Sequence, residues 1–266
     1  TYNFSFKSKD NVYNNSEIIN TENSWNIINE YFSKFENLKY FELSEKVTEN
    51  YSITARYLNG SFENKYSSKE LDFGIQYKKK YGKINLSLAK IIEDDSFMGS
   101  TGTGAYTLKE PTISNAFKFE LSQSLTKNQE FHMRYAKVKS KSHFTNYNFI
   151  KSSDLSAEQI ELNFINKQVI DDNDKLSLSV SSPLTITKGH FFQTTTIGYE
   201  EDGSYKTVKN TYDLKSKNKQ IDLKFNYSYS LKDDINFISG MSYSDNYENI
   251  SNLSNTSIFA GIKKNF

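Results

Sequence analysis

Residues suited to chemistry are few and scattered along this chain. It holds three histidines, His132, His143 and His190, and no cysteine. His132 alternates with apolar neighbours, which puts it on the polar side of a strand, and the other two lie in polar stretches. None has a companion ligand at metal-binding spacing, such as a second histidine on one helical face. Without cysteine, zinc and iron–sulfur sites built on thiolates are excluded. Glu93-Asp94-Asp95 offers carboxylates to a Ca²⁺ ion, yet it lacks the alternating oxygen ligands and closing glutamate of a calcium loop and reads as solvated. Gly99-Ser100-Thr101-Gly102-Thr103-Gly104 has the glycines of a phosphate-binding loop. It lacks the Lys-Ser/Thr pair, and no helical pattern follows, so it reads as a glycine-rich connection between strands. No catalytic residue, metal or cofactor is expected.

What the sequence does carry is period-two alternation, the mark of β-strands with one apolar and one polar face. Leu71, Phe73, Ile75 and Tyr77 alternate with Asp72, Gly74 and Gln76. Phe117, Phe119 and Leu121 alternate with Lys118 and Glu120, and Phe131, Met133 and Tyr135 with His132 and Arg134. The longest run sets Ile221, Leu223, Phe225, Tyr227 and Tyr229 against Asp222, Lys224, Asn226 and Ser228. Similar runs occur at 160–164 and 176–180, and further strands are expected at 2–8, 51–58, 82–92, 188–199, 205–215, 235–245 and 256–266. Many runs last roughly 9–11 residues, the length at which a tilted strand crosses a bilayer. Turn-forming clusters such as Lys80-Tyr81-Gly82 and Asp171-Asp172-Asn173-Asp174 separate them. Longer polar stretches near 141–156 and 244–255 alternate with these short turns, as at the two unequal ends of a barrel. One segment departs from the pattern: Ser24 caps an expected helix over 25–39, with Trp25, Ile28, Phe32 and Phe35 on one face. Residues 1–50 are thus expected to be an irregular segment (linker, plug or first strand), ahead of a barrel domain over 51–266.

Composition agrees with long paired strands. Of 266 residues, 15% are aromatic, and only two are proline, Pro111 and Pro183. Proline cannot donate to a ladder, whereas aromatics pack well on a pleated surface. With 33 basic and 32 acidic residues, net charge +1, the chain has no electrostatic call for nucleic acid. Mean hydropathy is −0.69 and no apolar run approaches the length of a membrane helix, which leaves strands as the one route across a bilayer. The sequence starts at Thr1, as a processed chain or a fragment would.

The last strand carries a further signal. Ile258, Ala260, Ile262 and Phe266 alternate, with Gly261 among them. This resembles the terminal-strand signal read by the bacterial outer-membrane assembly machinery, although Lys264 and Phe259 depart from its pattern. Three stretches together resemble the C-terminal β-domain of autotransporter-like, subtilisin-family (S8) serine proteases of Gram-negative bacteria. They are Asp95-Ser96-Phe97-Met98-Gly99-Ser100-Thr101-Gly102-Thr103-Gly104-Ala105-Tyr106, the strand Leu178-Ser179-Val180-Ser181-Ser182-Pro183-Leu184-Thr185-Ile186, and the spacing from Tyr212-Asp213-Leu214 through Gln220-Ile221-Asp222-Leu223 to Phe266. The resemblance covers roughly 82–266. It implies an outer-membrane domain behind a secreted passenger protease. The Asp, His-Gly and Gly-Thr-Ser set of such a protease is absent from this chain, so Ser100 is not a nucleophile and the domain is not expected to be an enzyme.

The expectation is therefore an all-β, antiparallel, up-and-down transmembrane barrel of about twelve strands with one short helix near its start. It would sit in the outer membrane of a Gram-negative bacterium and anchor or translocate an N-terminal passenger domain. Its partners would be the lipid bilayer, the assembly machinery and that passenger, with no nucleic acid. Lys118, Glu120, His132, Arg134, Asp222 and Lys224 would face the lumen. A soluble or cell-surface β-sandwich module, or a small porin-like channel, would use the same alternation differently.

Overall fold

A computed structural model describes residues 2–9, 37–62, 66–94, 96–97, 100–101, 108–144, 150–152, 155–232 and 235–264. Strands β1 (Tyr2–Lys9), β2 (Asn37–Lys46), β3 (Tyr51–Phe62), β4 (Tyr66–Lys79) and β5 (Gly82–Asp94) come first. The short β6 (Ser96–Phe97) and β7 (Ser100–Thr101) pair with each other, and β8 (Leu108–Ser124) and β9 (Gln129–Phe144) follow. Next come β10 (Ile150–Ser152), β11 (Leu155–Lys167), β12 (Asp174–Lys188), β13 (His190–Tyr199) and β14 (Tyr205–Asp213). The last three are β15 (Ile221–Lys232), β16 (Ile235–Asp245) and β17 (Asn255–Lys264).

Twelve of these strands form one antiparallel sheet in the order β1-β2-β3-β4-β5-β8-β9-β11-β12-β15-β16-β17. Each strand pairs with the next one of the sheet along the chain, so the topology is up-and-down throughout. The tight turns at 47–50, 80–81, 125–128 and 168–173 all fall at one end. At the other end longer stretches join the strands, among them 95–107, 189–220 and 246–254, as the alternation of turn lengths led us to expect. Asp174 organises one tight turn: its carboxylate accepts the backbone N–H groups of Val169, Ile170 and Asp171 and the Tyr227 hydroxyl. Burial pushes this carboxyl up, but the donated hydrogen bonds outweigh it and hold the group below its ordinary value.

The sheet differs from a closed barrel. Among the described residues β1 pairs with β2 alone and β17 with β16 alone, so two edges stay free. These edge strands have 8 and 10 residues, against 17 for β8 near the centre, so the seam has the fewest ladder bonds with which to hold the sheet curled shut. The expected helix over 25–39 is also revised. Residues 25–36, with Trp25, Ile28, Phe32 and Phe35, lie outside the described residues, whereas Asn37, Leu38 and Lys39 open strand β2. β2 bonds to β1 on one side and β3 on the other, and this two-sided ladder makes these three residues strand rather than the end of a helix. The one helical turn among the described residues is a 3₁₀ turn at Tyr247–Asn249.

A second, three-stranded sheet, β10-β13-β14, stands beyond the long-connection end. β12 leads into it through Gly189, whose φ of +146° suits glycine. An added Cβ there would lie 1.8 Å from Cδ2 of the buried Leu155. On this projecting hairpin Lys209 lies 4.4 Å from the Phe192 ring centroid, and Tyr199 and Tyr205 stack at 5.4 Å.

Candidate functional site: an inverted sheet

In a water-soluble sheet, apolar side chains are buried and polar ones exposed. Here the order is reversed. Leu71, Phe73 and Ile75 on β4, Ile84, Leu86 and Leu88 on β5, and Leu223 and Phe225 on β15 are all exposed. Their polar neighbours on the other face, including Arg56, Glu70, Asp72, Asn85, Ser87, Lys118 and Glu120, are buried. The exposed apolar positions form a band that begins just past the tight turns. On the outer face it is bounded by polar positions on successive strands, Lys69, Lys90, Asn115 and the Lys137–Glu158 pair at 2.8 Å, beyond which the paired Ile92 and Ile113 are the next apolar positions of β5 and β8.

Paired charges fill one side of the inner face. Lys118, with 0% of its side chain exposed, reaches across β5 to the carboxylates of Glu70 and Asp72 on β4, lying 2.9 Å from Asp72 Oδ2. That reach is possible because β5 presents only Ser87 and Ala89 at this level, opposite Lys118 and Asp72 respectively. Ser87 adds its own hydroxyl to Asp72 at 3.2 Å. One step towards the tight turns, Asn85 donates to Glu120 at 2.7 Å, Arg134 lies 3.5 Å from Glu120, and Glu161 lies 3.7 Å from the same guanidinium. On β2 and β3, Arg56 Nε donates to Glu42 at 2.7 Å, and the Tyr40 hydroxyl bonds to the same carboxylate. Removing charges from water is costly, and this network offsets that cost by giving each buried charge an opposite one.

The opposite side of the inner face has a different character. β12, β15, β16 and β17 turn Ser177, Ser179, Ser181, Asn226, Ser228, Ser242, Ser257 and Gly261 to it, most of them partly open, together with the larger Lys224, Ile238 and Phe259, whose ring covers Gly240. One half of the inner surface is therefore packed with ion pairs, and the other is mainly serine and asparagine on β12 and β15, with Lys224 among them and with Ile238 and Phe259 on β16 and β17.

Of the residues expected to face the lumen, Lys118, Glu120 and Asp222 are buried on the inner face. His132 and Arg134 share that face with side chains 25% and 39% exposed, and Lys224 shares it but is exposed. The His132 ring lies 2.9 Å from the Ser122 hydroxyl and 3.5 Å from the Glu130 carboxylate. The side chain of His143 lies outside the described residues, His190 stands on the projecting hairpin, and no metal-holding cluster occurs among the described residues. Glu93 and Asp94 end strand β5 rather than forming a solvated loop: Glu93 is buried, and Asp94 accepts the Ser67 hydroxyl at 2.6 Å. Within the C-terminal signal, Ile258, Ala260 and Ile262 lie on the outer face of β17 and Gly261 on the inner, while Phe266 lies outside the described residues. Of the glycine-rich stretch, Ser96–Phe97 and Ser100–Thr101 are described. Sequence reasoning missed the Lys118 bridge, whose signal is the pair of small residues Ser87 and Ala89 on the intervening strand.

No protein-family model matches this chain, and no curated protein does. Among solved structures it is similar to the toluene transporter TodX of Pseudomonas putida, at 8% identity over 86% of this chain and 74% of that one, with a TM-score of 0.49. It is also similar to the NanC porin, at 9% identity over 86% and 93% of the two chains and a TM-score of 0.40. A third is the translocator domain of the autotransporter NalP of Neisseria meningitidis, at 13% identity over 86% and 79% and a TM-score of 0.29.

Proposed function

We propose that this chain is an outer-membrane β-domain that lies in the lipid with its apolar band against the acyl chains and anchors or translocates a passenger polypeptide. The reading rests on one observation, the exposure of the apolar face together with the burial of the charged one. In water such a sheet would leave a broad apolar surface uncovered, whereas in lipid that surface is solvated and the polar face needs an interior. The bilayer also demands that backbone groups be paired, so the free edges of β1 and β17 meet in the membrane. They are suited to do so: β1 begins and β17 ends at the tight-turn end, so the two run antiparallel. A β-sandwich would bury its apolar faces against each other, which this sheet does not do.

The serine and asparagine positions of β12 and β15 favour passage of an extended chain, because they offer it hydrogen bonds along the wall, with the apolar Ile238 and Phe259 set to one side on β16 and β17. The same wall supports a second reading, a small solute channel. An epitope-tagged passenger fused ahead of Thr1 separates the two. With the domain folded in the outer membrane, as scored by a gel mobility that changes on boiling, the tag is expected at the cell surface, where added protease removes it. A folded domain whose tag stays protected would leave the channel reading in its place. A chain that is soluble without detergent and shows no mobility change would overturn both.

A further inference from the structure

We propose that the tight-turn end of the inner face holds a binding site for small multivalent oxyanions of the phosphate class. A cavity of about 580 Å³ opens there, within the range of small-ligand sites. Five basic side chains line it, Lys46, Arg56, Lys78, Lys79 and Lys80, against two carboxylates, Glu42 and Glu49. Arg56 and Glu42 bond to each other at 2.7 Å. Among the described residues none of the four lysines has a carboxylate within salt-bridge distance; Lys80 lies 5.1 Å from the Tyr81 ring centroid. Elsewhere on the inner face Lys118 has two carboxylates, Arg134 two, and Lys167 lies 2.6 Å from Glu130; among the described residues Lys175 and Lys224 stand without one but singly, whereas here four lysines line one cavity.

Lys78 also registers directly opposite Lys83, on the same face of β4 and β5. Like charges at opposed positions destabilise a sheet, and an anion between them removes that repulsion. Ser52 on β3 lies between the positions of Lys46 and Gln76, so a small side chain leaves room for the lysines of β2 and β4 to converge. Hydroxyl and amide donors from Ser44, Ser52, Thr54 and Gln76 line the same space and suit phosphate oxygens, each of which accepts several hydrogen bonds. The site rests on the barrel reading only for the side from which its ligand enters.

The test uses the full chain folded in phosphatidylcholine nanodiscs, titrated calorimetrically with inorganic pyrophosphate at low salt. Saturable one-to-one binding is expected. Combining Lys46→Gln, Lys78→Gln and Lys80→Gln should weaken it by about tenfold or more, since three charge-assisted hydrogen bonds to the anion are lost together. Lys127→Gln, in the turn at 125–128 of the same end and outside the cavity, should leave it unchanged. Lys80→Gln alone, in an exposed turn, gives a second variant whose folding is not at issue and should weaken binding measurably. The boiling-dependent gel shift scores folding separately, so failure of the barrel reading shows there and not in the titration. Repeating the titration with phosphatidylglycerol in the discs identifies the natural source. Competition assigns the site to lipid phosphate, and its absence to a soluble phosphate. No saturable binding, equal affinity in the triple variant, or equal loss in Lys127→Gln would each overturn the proposal.

Discussion

Ile75→Arg separates a lipid-facing band from an ordinary solvent face. Ile75 is 56% exposed and registers with Ile53 on β3 and Leu86 on β5, both apolar and on the same outer face. On β4 the apolar outer positions run from Tyr77 to Leu71, between the turn at 80–81 and Lys69. Six residues at about 3.3 Å each make this roughly 20 Å along the strand, and Ile75 sits near its middle. If the outer face met water, replacing a half-exposed side chain would change stability by no more than about 0.5 kcal/mol. In a bilayer, arginine near the midplane costs about 2–4 kcal/mol, a drop of roughly 30- to 900-fold in the folding equilibrium. The assay is a denaturant titration of protein reconstituted in phosphatidylcholine vesicles, scored by the gel-mobility difference between folded and boiled forms. Lys69→Arg, at the edge of the band, serves as the reference and should stay near wild type. If Ile75→Arg in vesicles lies within about 0.5 kcal/mol of wild type, the lipid-facing assignment of this face is wrong.

Lys118→Met leaves Glu70 and Asp72 buried without a countercharge and should cost about 3–5 kcal/mol in the same titration, while adding Glu70→Gln and Asp72→Asn should recover most of that loss. Gly189→Ala should destabilise by about 1–3 kcal/mol and raise protease cleavage in the β13–β14 hairpin, because φ is positive and the new methyl meets Leu155; unchanged cleavage and stability would show that the junction yields freely. The Asp174 carboxyl is held below its ordinary value, so its contribution is complete above the usual carboxylate range and is lost as pH falls through the lower, folded-state value. Hydrogen exchange of the Val169, Ile170 and Asp171 amides should therefore accelerate only at pH values below that range, and in Asp174→Asn it should be faster at neutral pH and lose this acid dependence.

Strands whose two faces differ in polarity were legible in the sequence, because a period of two is a local property. The runs around 71–77, 117–121, 131–135 and 221–231 lie within strands, and Lys118, Glu120 and Asp222 share the inner face as their alternation implies. β2 was not legible: Leu38, Tyr40, Phe41 and Leu43 mix the two periods, and its pairing with β1 and β3 decided the outcome. The extension of β8 back to Leu108 is equally non-local, since it crosses Pro111 and depends on β9 reaching Phe144. The partners of Lys118 were hidden for a related reason, because β5 intervenes and Glu70 lies 48 residues away. The lysines of the tight-turn end, which have no carboxylate within salt-bridge distance among the described residues, surface only when register places Lys78 against Lys83.

The strand count of the main sheet has a consequence for how chains of this build can change length. With twelve strands running alternately up and down, the first and last are antiparallel, and a seam between them continues the ladder of every other pair. Losing or gaining a single strand would turn that seam parallel and shift every hydrogen bond along it. Losing or gaining a hairpin would leave its direction intact. For such a sheet the unit of insertion and deletion is therefore the pair of strands with its turn, and relatives of this chain should differ in strand number by twos.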